Sequence, residues 1–483
     1  MRKPARPEKR LSKKLTRGQS KKLAGFRRII AELRVEIRQL KARLRKLEAR
    51  LGQTSQNSSM PPSSDPPSAP PQTPRVASGR KPGGQPKHPK HARELLPPER
   101  VHKTIPVKPE RCKKCRRPLK GEDTQPLRHQ VTDLPPVEPV VTEYQRHALV
   151  CEHCQTVTRA ALPAGVPRGN FSSRVVAVVS LLTSYYHLGR RTAAEAMGDL
   201  FGVTMSVGAV SNCEQMASQA LKDPVAEAHA YVQKQPVKNG DETSWYEGIR
   251  RLKAWAWAAF TPQVTVFLIR TSRGTAVAKE LLGKVCGVLV TDRWCGYTWW
   301  PLAFRQLCWA HLKRHFQAFV DWGGPAAPIG QALLVEVTLL FTWWHRVRDG
   351  TLSRSSFQTY VVPLRRRVKK LLTQGSVCGH AKTMSMCREI LTMEKALWTF
   401  VRIPGVEPTN NAAERVIRAL VIWRKICFGT HSQEGSRFVE RMMTVACTLN
   451  QQGRNVVDYV TASVEAAMRG QCPPSLLPTP VQK

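Results

Sequence analysis

The chain has 483 residues, enough for about two to four domains with a sizeable core. It carries 76 Lys plus Arg against 35 Asp plus Glu, a formal net charge of +41 and a pI near 10.4, which points to a polyanion, most often nucleic acid, ahead of a membrane surface. No uninterrupted apolar run of about eighteen residues stands in the sequence, and the polybasic N-terminus has no apolar segment behind it, so neither a spanning helix nor a secretory signal is expected.

Thirteen cysteines are scattered along the chain. That usage suits reduced thiols and a metal site in the cytosol rather than a disulfide framework. The first 50 residues hold 19 Lys or Arg against 4 Glu. Within 1–51, Phe26, Ile30, Leu33, Ile37, Leu40, Leu44, Leu47 and Leu51 recur at steps of four and three, the seam of a basic, zipper-like coiled coil. β-Branched residues at one core position and Leu at the other favour a parallel dimer, with Glu36 facing Lys41 and Arg43 facing Glu48 of a partner. A single amphipathic helix packed on the body is the alternative.

Residues 52–98 are rich in Pro, Ser, Gly and basic side chains and read as a linker that buries too little apolar surface to fold. Arg80 and Lys81, in GRKPGGQPKHPKH, fit a minor-groove arm, although a solvated linker fits equally. In 99–165, Cys112-x-x-Cys115 and Cys151-x-x-Cys154 frame strand-like residues from Val137 to Leu149. Four thiolates suit one tetrahedral Zn²⁺ in a zinc-ribbon-like module, presenting Arg111, Lys113, Lys114, Arg116 and Arg117 to DNA. Residues 166–235 read as helical, with a helix near Thr192–Phe201, a turn at Gly202 and Val203, and a second helix from Ser206. This is a helix-turn-helix-like cadence or a plain supporting hairpin.

Residues 236–323 predict strands around Val237–Tyr246, Lys253–Phe260 and Val264–Arg270, a helix over Thr275–Leu282, and a buried strand GVLVTD ending at Asp292. A three-stranded meander, a helix and a fourth strand open an RNase H-like α/β fold. Carboxylates on the first strand, past the fourth and on a late helix there converge on metal. Asp241, Asp292 and Glu414 stand at those places, and hard oxygen donors suit Mg²⁺ or Mn²⁺. Each acid also has a plainer reading: a turn at Asn239-Gly240, a polar strand end, and a capping-box partner of Asn411.

Trp255 and Trp257 share a strand face and read as core. Trp294, Tyr297, Trp299 and Trp300 are candidates for base stacking or for core. Cys308-x-x-His311 invites a metal reading yet lacks a second nearby pair, and Lys313 and Arg314 suit phosphate contacts. Residues 324–408 read as a helical insertion with a basic run at Arg365–Lys370. Residues 409–470 return with the Glu414 helix, whose Arg418, Arg424 and Lys425 are further DNA contacts, and two closing helices near Ser436–Leu449 and Asn455–Met468. The tail, 471–483, reads as disordered.

NNAAERVIR with its following RK pair, TDRWCGY, CWAHLKRHF, NSSMPPSSD and RKPGGQP together resemble the transposases of the bacterial Insertion Sequence 66 family, from Phe26 to about Met468. The resemblance implies a DDE-type transposase with Asp241, Asp292 and Glu414 at the family's acidic triad. Such an enzyme binds the terminal inverted repeats of its element, cleaves the strand there and joins the 3′-OH to target DNA. It implies a homodimer or larger synaptic assembly, small accessory proteins of the same element, and a cytoplasmic, nucleoid-associated location without membrane contact. The family's small residue after the second acid is here Arg293, followed by Trp294. A catalytically inactive DNA-binding regulatory or architectural protein of the same fold is the alternative.

Overall fold

The computed structural model describes residues 32, 33, 35–41 and 94–478. Residues 35–41 are helical and exposed throughout, Ile37 and Leu40 with the rest. Phe26, Ile30, Leu44, Leu47 and Leu51 of that seam, with Arg80 and Lys81, lie outside the described residues. Beyond residue 94 the chain forms two bodies, one drawing on residues before 228 and after 431, the other built on 228–431.

In the first body, β1 (Ala148–Val150) and β2 (Val157–Arg159) form an antiparallel hairpin with Leu149 opposite Thr158. The expected strand character of Val137–His147 is not observed. No strand pairs with that run among the described residues, and Val140 and Val141 are almost fully exposed. Four helices follow: α1 (Ser173–Thr183), α2 (Arg190–Phe201), α3 (Val207–Ala220) and α4 (Lys222–Gln233), the last passing from the first body into the second at residue 228. Gly202, at φ +64°, ends α2, a left-handed position that favours glycine. Ser206 then caps α3 by accepting the Ala209 N–H at 3.1 Å. Helix α3 buries Val210, Cys213 and Ala217 and turns Asn212, Gln215, Met216 and Gln219 outward, a face without basic side chains.

The second body is organised on a mixed five-stranded sheet in the order β5-β4-β3-β6-β7. β3 (Val237–Glu247), β4 (Leu252–Phe260) and β5 (Thr265–Arg270) form the antiparallel meander. Helix α5 (Thr275–Leu282) crosses to β6 (Val288–Thr291), which pairs parallel with β3, and β7 (Arg305–Leu307) pairs parallel with β6. Alanines 254, 256, 258 and 259 and Trp257 are fully buried on β4, and all four residues of β6 are buried. Both faces of the central strands are therefore covered, which is why they read as continuous apolar runs. Asn239 and Gly240 lie inside β3, not in a turn, because β3 is paired on both sides.

Helix α6 (Trp309–Trp322) leads from β7 into the insertion: α7 (Ala326–Arg348), α8 (Arg354–Gly375), α9 (Ala381–Thr392) and a turn at Thr399–Arg402. Trp344, Phe357 and Phe400 pack ring against ring at its centre. Among the described residues α7 alone is long and apolar enough to cross a membrane by length and composition. Gln331, Glu336 and the threonines interrupt its apolar run, and Leu333, Val337, Leu340 and Trp344 bury one face in the core beside α8. Of the basic run, Arg365 pairs with Glu394 and Arg367 with Glu336. The insertion is fastened to the sheet edge: Leu397 O accepts from Trp309 Nε1 at 2.8 Å, and the Phe400 N–H donates to Gln306 Oε1 at 2.9 Å.

Helix α10 (Asn411–Cys427) follows and packs on β3 and β4. The first body is then completed by α11 (Gln433–Gln451) and α12 (Val456–Met468), which pack against α3, α12 also against α1. The tail is docked as far as it is described. Leu476 is fully buried, Tyr459 Oη donates to Pro474 O at 2.7 Å, and Gln452 Nε2 donates to Leu476 O at 3.1 Å.

Candidate active site

The parallel pairing of β3 with β6 sets two acids side by side. Val237 faces Val288 and Asn239 faces Val290, and the same offset carries Asp241 to Asp292, one residue past β6. The third acid depends on Asn410, which is fully buried at the start of α10. Its Nδ2 donates to Gly240 O at 2.8 Å, and its Oδ1 accepts from Asn239 Nδ2 at 2.9 Å. The Asn410 N–H donates to Cys308 Sγ at 3.1 Å, and Asn410 O accepts the Glu414 N–H at 3.1 Å. Asn410, not Asn411, is thus the N-cap, and its side chain ties the helix to β3 beside Asp241 instead of capping it. Asn410 was not anticipated as a site residue; the Asn-Asn pair ahead of the helix was the signal.

The electrostatics follow from crowding. Burial raises the Asp241 carboxyl well above the usual carboxylate range, and the charges of Glu242, Asp292 and Glu414 raise it further. Its one hydrogen bond among the described residues comes from the Glu242 N–H. Burial also raises Glu414, with Arg314 and Arg418 pulling it down and Asp292 pushing it up. Like charges acting on one another favour protonation or a bound cation, although the three acids do not form a set of donors all within 4.8 Å of one another among the described residues.

Residues around Asp292 explain Arg293 and Trp294. The Trp294 N–H donates to Asp292 Oδ1 at 2.9 Å, so the loop itself orients the acid. The Trp294 ring packs on Trp257 and Tyr297. A Cβ at Gly296 would stand 1.9 Å from that ring, which requires glycine there. Arg293 turns away to pair with Glu389 at 2.9 Å. Tyr297 and Trp300 are fully buried core residues. Glu242 is a second buried acid that sequence reasoning passed over. It accepts from Tyr297 Oη at 2.6 Å and from Arg273 at 2.7 Å, and the Arg273 guanidinium lies 4.7 Å from the centres of both the Trp255 and Trp294 rings. Arg305, buried, donates to Thr291 Oγ1 and Asp292 O.

Cys308, His311 and Glu414 bring three donor atoms within 4.8 Å of one another, the one such group among the described residues. Cys308 is the N-cap of α6 and His311 lies one turn in. His311 Nδ1 is 3.3 Å from Glu414 Oε1. Burial, with Arg314 and Arg293 nearby, pushes His311 down to about 3, so the ring is neutral, and burial pushes the Cys308 thiol up to about 12.

The model of the Transposase IS66 family matches residues 168–437, more than half of the chain and all of this acidic cluster. The chain belongs to the IS66 transposase family. A second model, that of a family of unknown function (DUF6444), matches residues 8–94. No curated protein matches the chain.

Within this transposase the expected DNA contacts divide. Lys313, Arg418 and Lys425 are exposed and Arg314 is half-buried. Arg424 is committed to β3, where it donates to Thr243 Oγ1 at 3.2 Å and Ser244 O at 2.6 Å. The two C-x-x-C pairs share one backbone geometry. The Cys112 N–H donates to Arg117 O and the Arg116 N–H to Cys112 O; the Cys151 N–H donates to Thr156 O and the Gln155 N–H to Cys151 O. Arg116 and Gln155, each directly after its second cysteine, take φ near +59° and +55°. Hydrogen bonds from Cys115 and Lys114 lower the Cys112 thiol, and bonds from Thr156 and Cys151 lower Cys154. The four thiols do not gather into one set of close donors among the described residues.

Proposed function

We propose that this transposase binds the terminal inverted repeats of its element, cleaves the strand there and joins the freed 3′-OH to target DNA, using Asp241, Asp292 and Glu414 as one metal-binding triad on an RNase H-like sheet. The observation that carries the reading is the half-buried Asp241 carboxylate, raised by the charges of Glu242, Asp292 and Glu414 and, among the described residues, bonded by no cationic side chain. Such a donor set fits Mg²⁺ or Mn²⁺, hard cations that prefer carboxylate oxygens. When bound, these ions activate a water or a 3′-hydroxyl and stabilise the departing oxygen.

The chain's own residues do the rest. The Trp294 N–H fixes Asp292, Asn410 fixes the start of the Glu414 helix, and Arg314 and Arg418 supply positive charge beside Glu414 for a phosphate. Cys112, Cys115, Cys151 and Cys154 hold one Zn²⁺, a reading supported by the matching knuckle geometry and by hydrogen bonds that favour the thiolate. The N-terminal seam pairs two copies at the nucleoid, with Arg80 and Lys81 following a DNA groove.

Asp292→Asn is the test. The variant is expected to keep binding of end DNA and to lose Mg²⁺-dependent strand cleavage by three orders of magnitude or more, on the order of 4 kcal/mol in the barrier. Cleavage at the wild-type rate by purified Asp292→Asn protein removes the assignment.

A further inference from the structure

We infer that Cys308, His311 and Glu414 form a site for a zinc-class transition metal, and that its occupancy withdraws Glu414 from Asp241 and Asp292. The three side chains offer a thiolate, an imidazole and a carboxylate, a donor set that suits zinc and not magnesium. Their donor atoms already lie within 4.8 Å of one another. His311 Nδ1 and Glu414 Oε1 are buried and face each other at 3.3 Å, yet neither makes a hydrogen bond. Two donors on one tetrahedral zinc, with bonds of about 2.0–2.1 Å, stand roughly 3.3–3.4 Å apart. A pair that shares a cation needs no hydrogen bond, which accounts for two otherwise orphaned atoms.

The C-x-x-H spacing produces this arrangement. Cys308 at the N-cap and His311 one turn in share the same end of α6, and Asn410 brings α10 against them through its N–H on Cys308 Sγ. A backbone donor on sulfur is the outer-shell contact that holds a metal-bound thiolate in place. On binding, the Cys308 proton passes to solvent and the thiolate takes the metal. Three protein ligands leave one tetrahedral position open, as in exchangeable rather than purely structural zinc sites. Because Glu414 serves both sets, zinc here acts as a brake on the acidic cluster. Only that consequence, not the site itself, rests on the function proposed above.

The test counts metal first. Full-length chain is equilibrated with Zn²⁺, freed of loose metal by gel filtration and assayed for bound zinc, alongside Cys308→Ser, His311→Gln and a Cys112→Ser/Cys151→Ser double variant. Cys308→Ser and His311→Gln are each expected to lose one equivalent that the double variant keeps. Retention of the wild-type count by either single variant, folded by circular dichroism, overturns the site; if one fails to fold, the other decides. Zinc is then titrated into Mg²⁺-dependent cleavage, each variant compared with its own zinc-free rate. The zinc concentration for half inhibition is expected to rise at least tenfold in His311→Gln, and an unchanged value overturns the brake. If wild type cleaves nothing in Mg²⁺, the catalytic proposal fails while the zinc count still decides the site.

Discussion

Replacing Asp241 by asparagine should stabilise the metal-free protein. The carboxyl is half-buried and its folded-state pKa is raised by desolvation and by Glu242, Asp292 and Glu414. Between its unfolded and folded pKa values the folded chain therefore binds more protons than the unfolded one, and stability falls as pH rises through that window. Above the window the native state carries a half-buried charge with no cationic partner among the described residues, and an amide of the same shape removes it. A buried polar group lacking partners costs about 1–3 kcal/mol, more when charged. A body the size of residues 228–431 gains roughly 2–4 °C in Tm per kcal/mol, so Asp241→Asn should melt roughly 2–12 °C higher in EDTA at pH 8. The gain should fade in acid, once wild-type Asp241 is protonated in both states. Mn²⁺ at a hundredfold excess over Kd should stabilise wild type by about 2.7 kcal/mol and the variant by less, narrowing the difference. Scanning calorimetry at pH 8 and at pH 4, with and without Mn²⁺, reads all of this. A variant less stable than wild type in EDTA at pH 8 refutes the argument.

Asn410→Ala leaves Gly240 O and Asn239 Nδ2 without their buried partner and should cost about 2–5 kcal/mol. Cleavage should fall with it even under conditions where urea titration shows the variant folded. Gly296→Ala forces the Trp294 ring off Asp292's loop and should lower stability by about 1–3 kcal/mol, with a shift in tryptophan fluorescence. Stripping zinc with a chelator should unfold the Cys112–Cys154 module, seen as loss of amide protection there, and leave exchange in residues 237–307 unchanged. DNA affinity should fall roughly a thousandfold or more between 50 and 200 mM salt if six to ten phosphates are contacted; filter binding gives the slope.

Much of the sheet was legible because its strands are buried on both faces. KAWAWAAF and GVLVTD read as strands directly, and the Thr275–Leu282 helix has the bounds its pattern gives. The positions of Asp241 on β3, Asp292 just past β6 and Glu414 in the first turn of α10 follow from the order of elements read in the sequence. What stayed hidden depends on residues far apart in sequence. Asn410 acts on Asn239 and Gly240, Arg273 on Glu242, and Glu414 on a Cys-x-x-His element that looked incomplete alone. Local pattern misled where pairing overrode it: Asn239-Gly240 favours a turn but sits in a strand paired on both sides, while Val137–His147 has strand composition and no partner. Arg424 looked like a DNA contact because nothing in the sequence reveals that β3 claims it.

The proposed chemistry requires three carboxylates to act as a single cation site. Electron paramagnetic resonance of Mn²⁺ titrated into protein carrying no zinc at Cys308, His311 and Glu414 counts that site directly. Wild type should bind one to two Mn²⁺ ions, and Asp241→Asn, Asp292→Asn and Glu414→Gln should each weaken binding at least tenfold. Mn²⁺ binding by the triple amide variant as tight as that of wild type would contradict it.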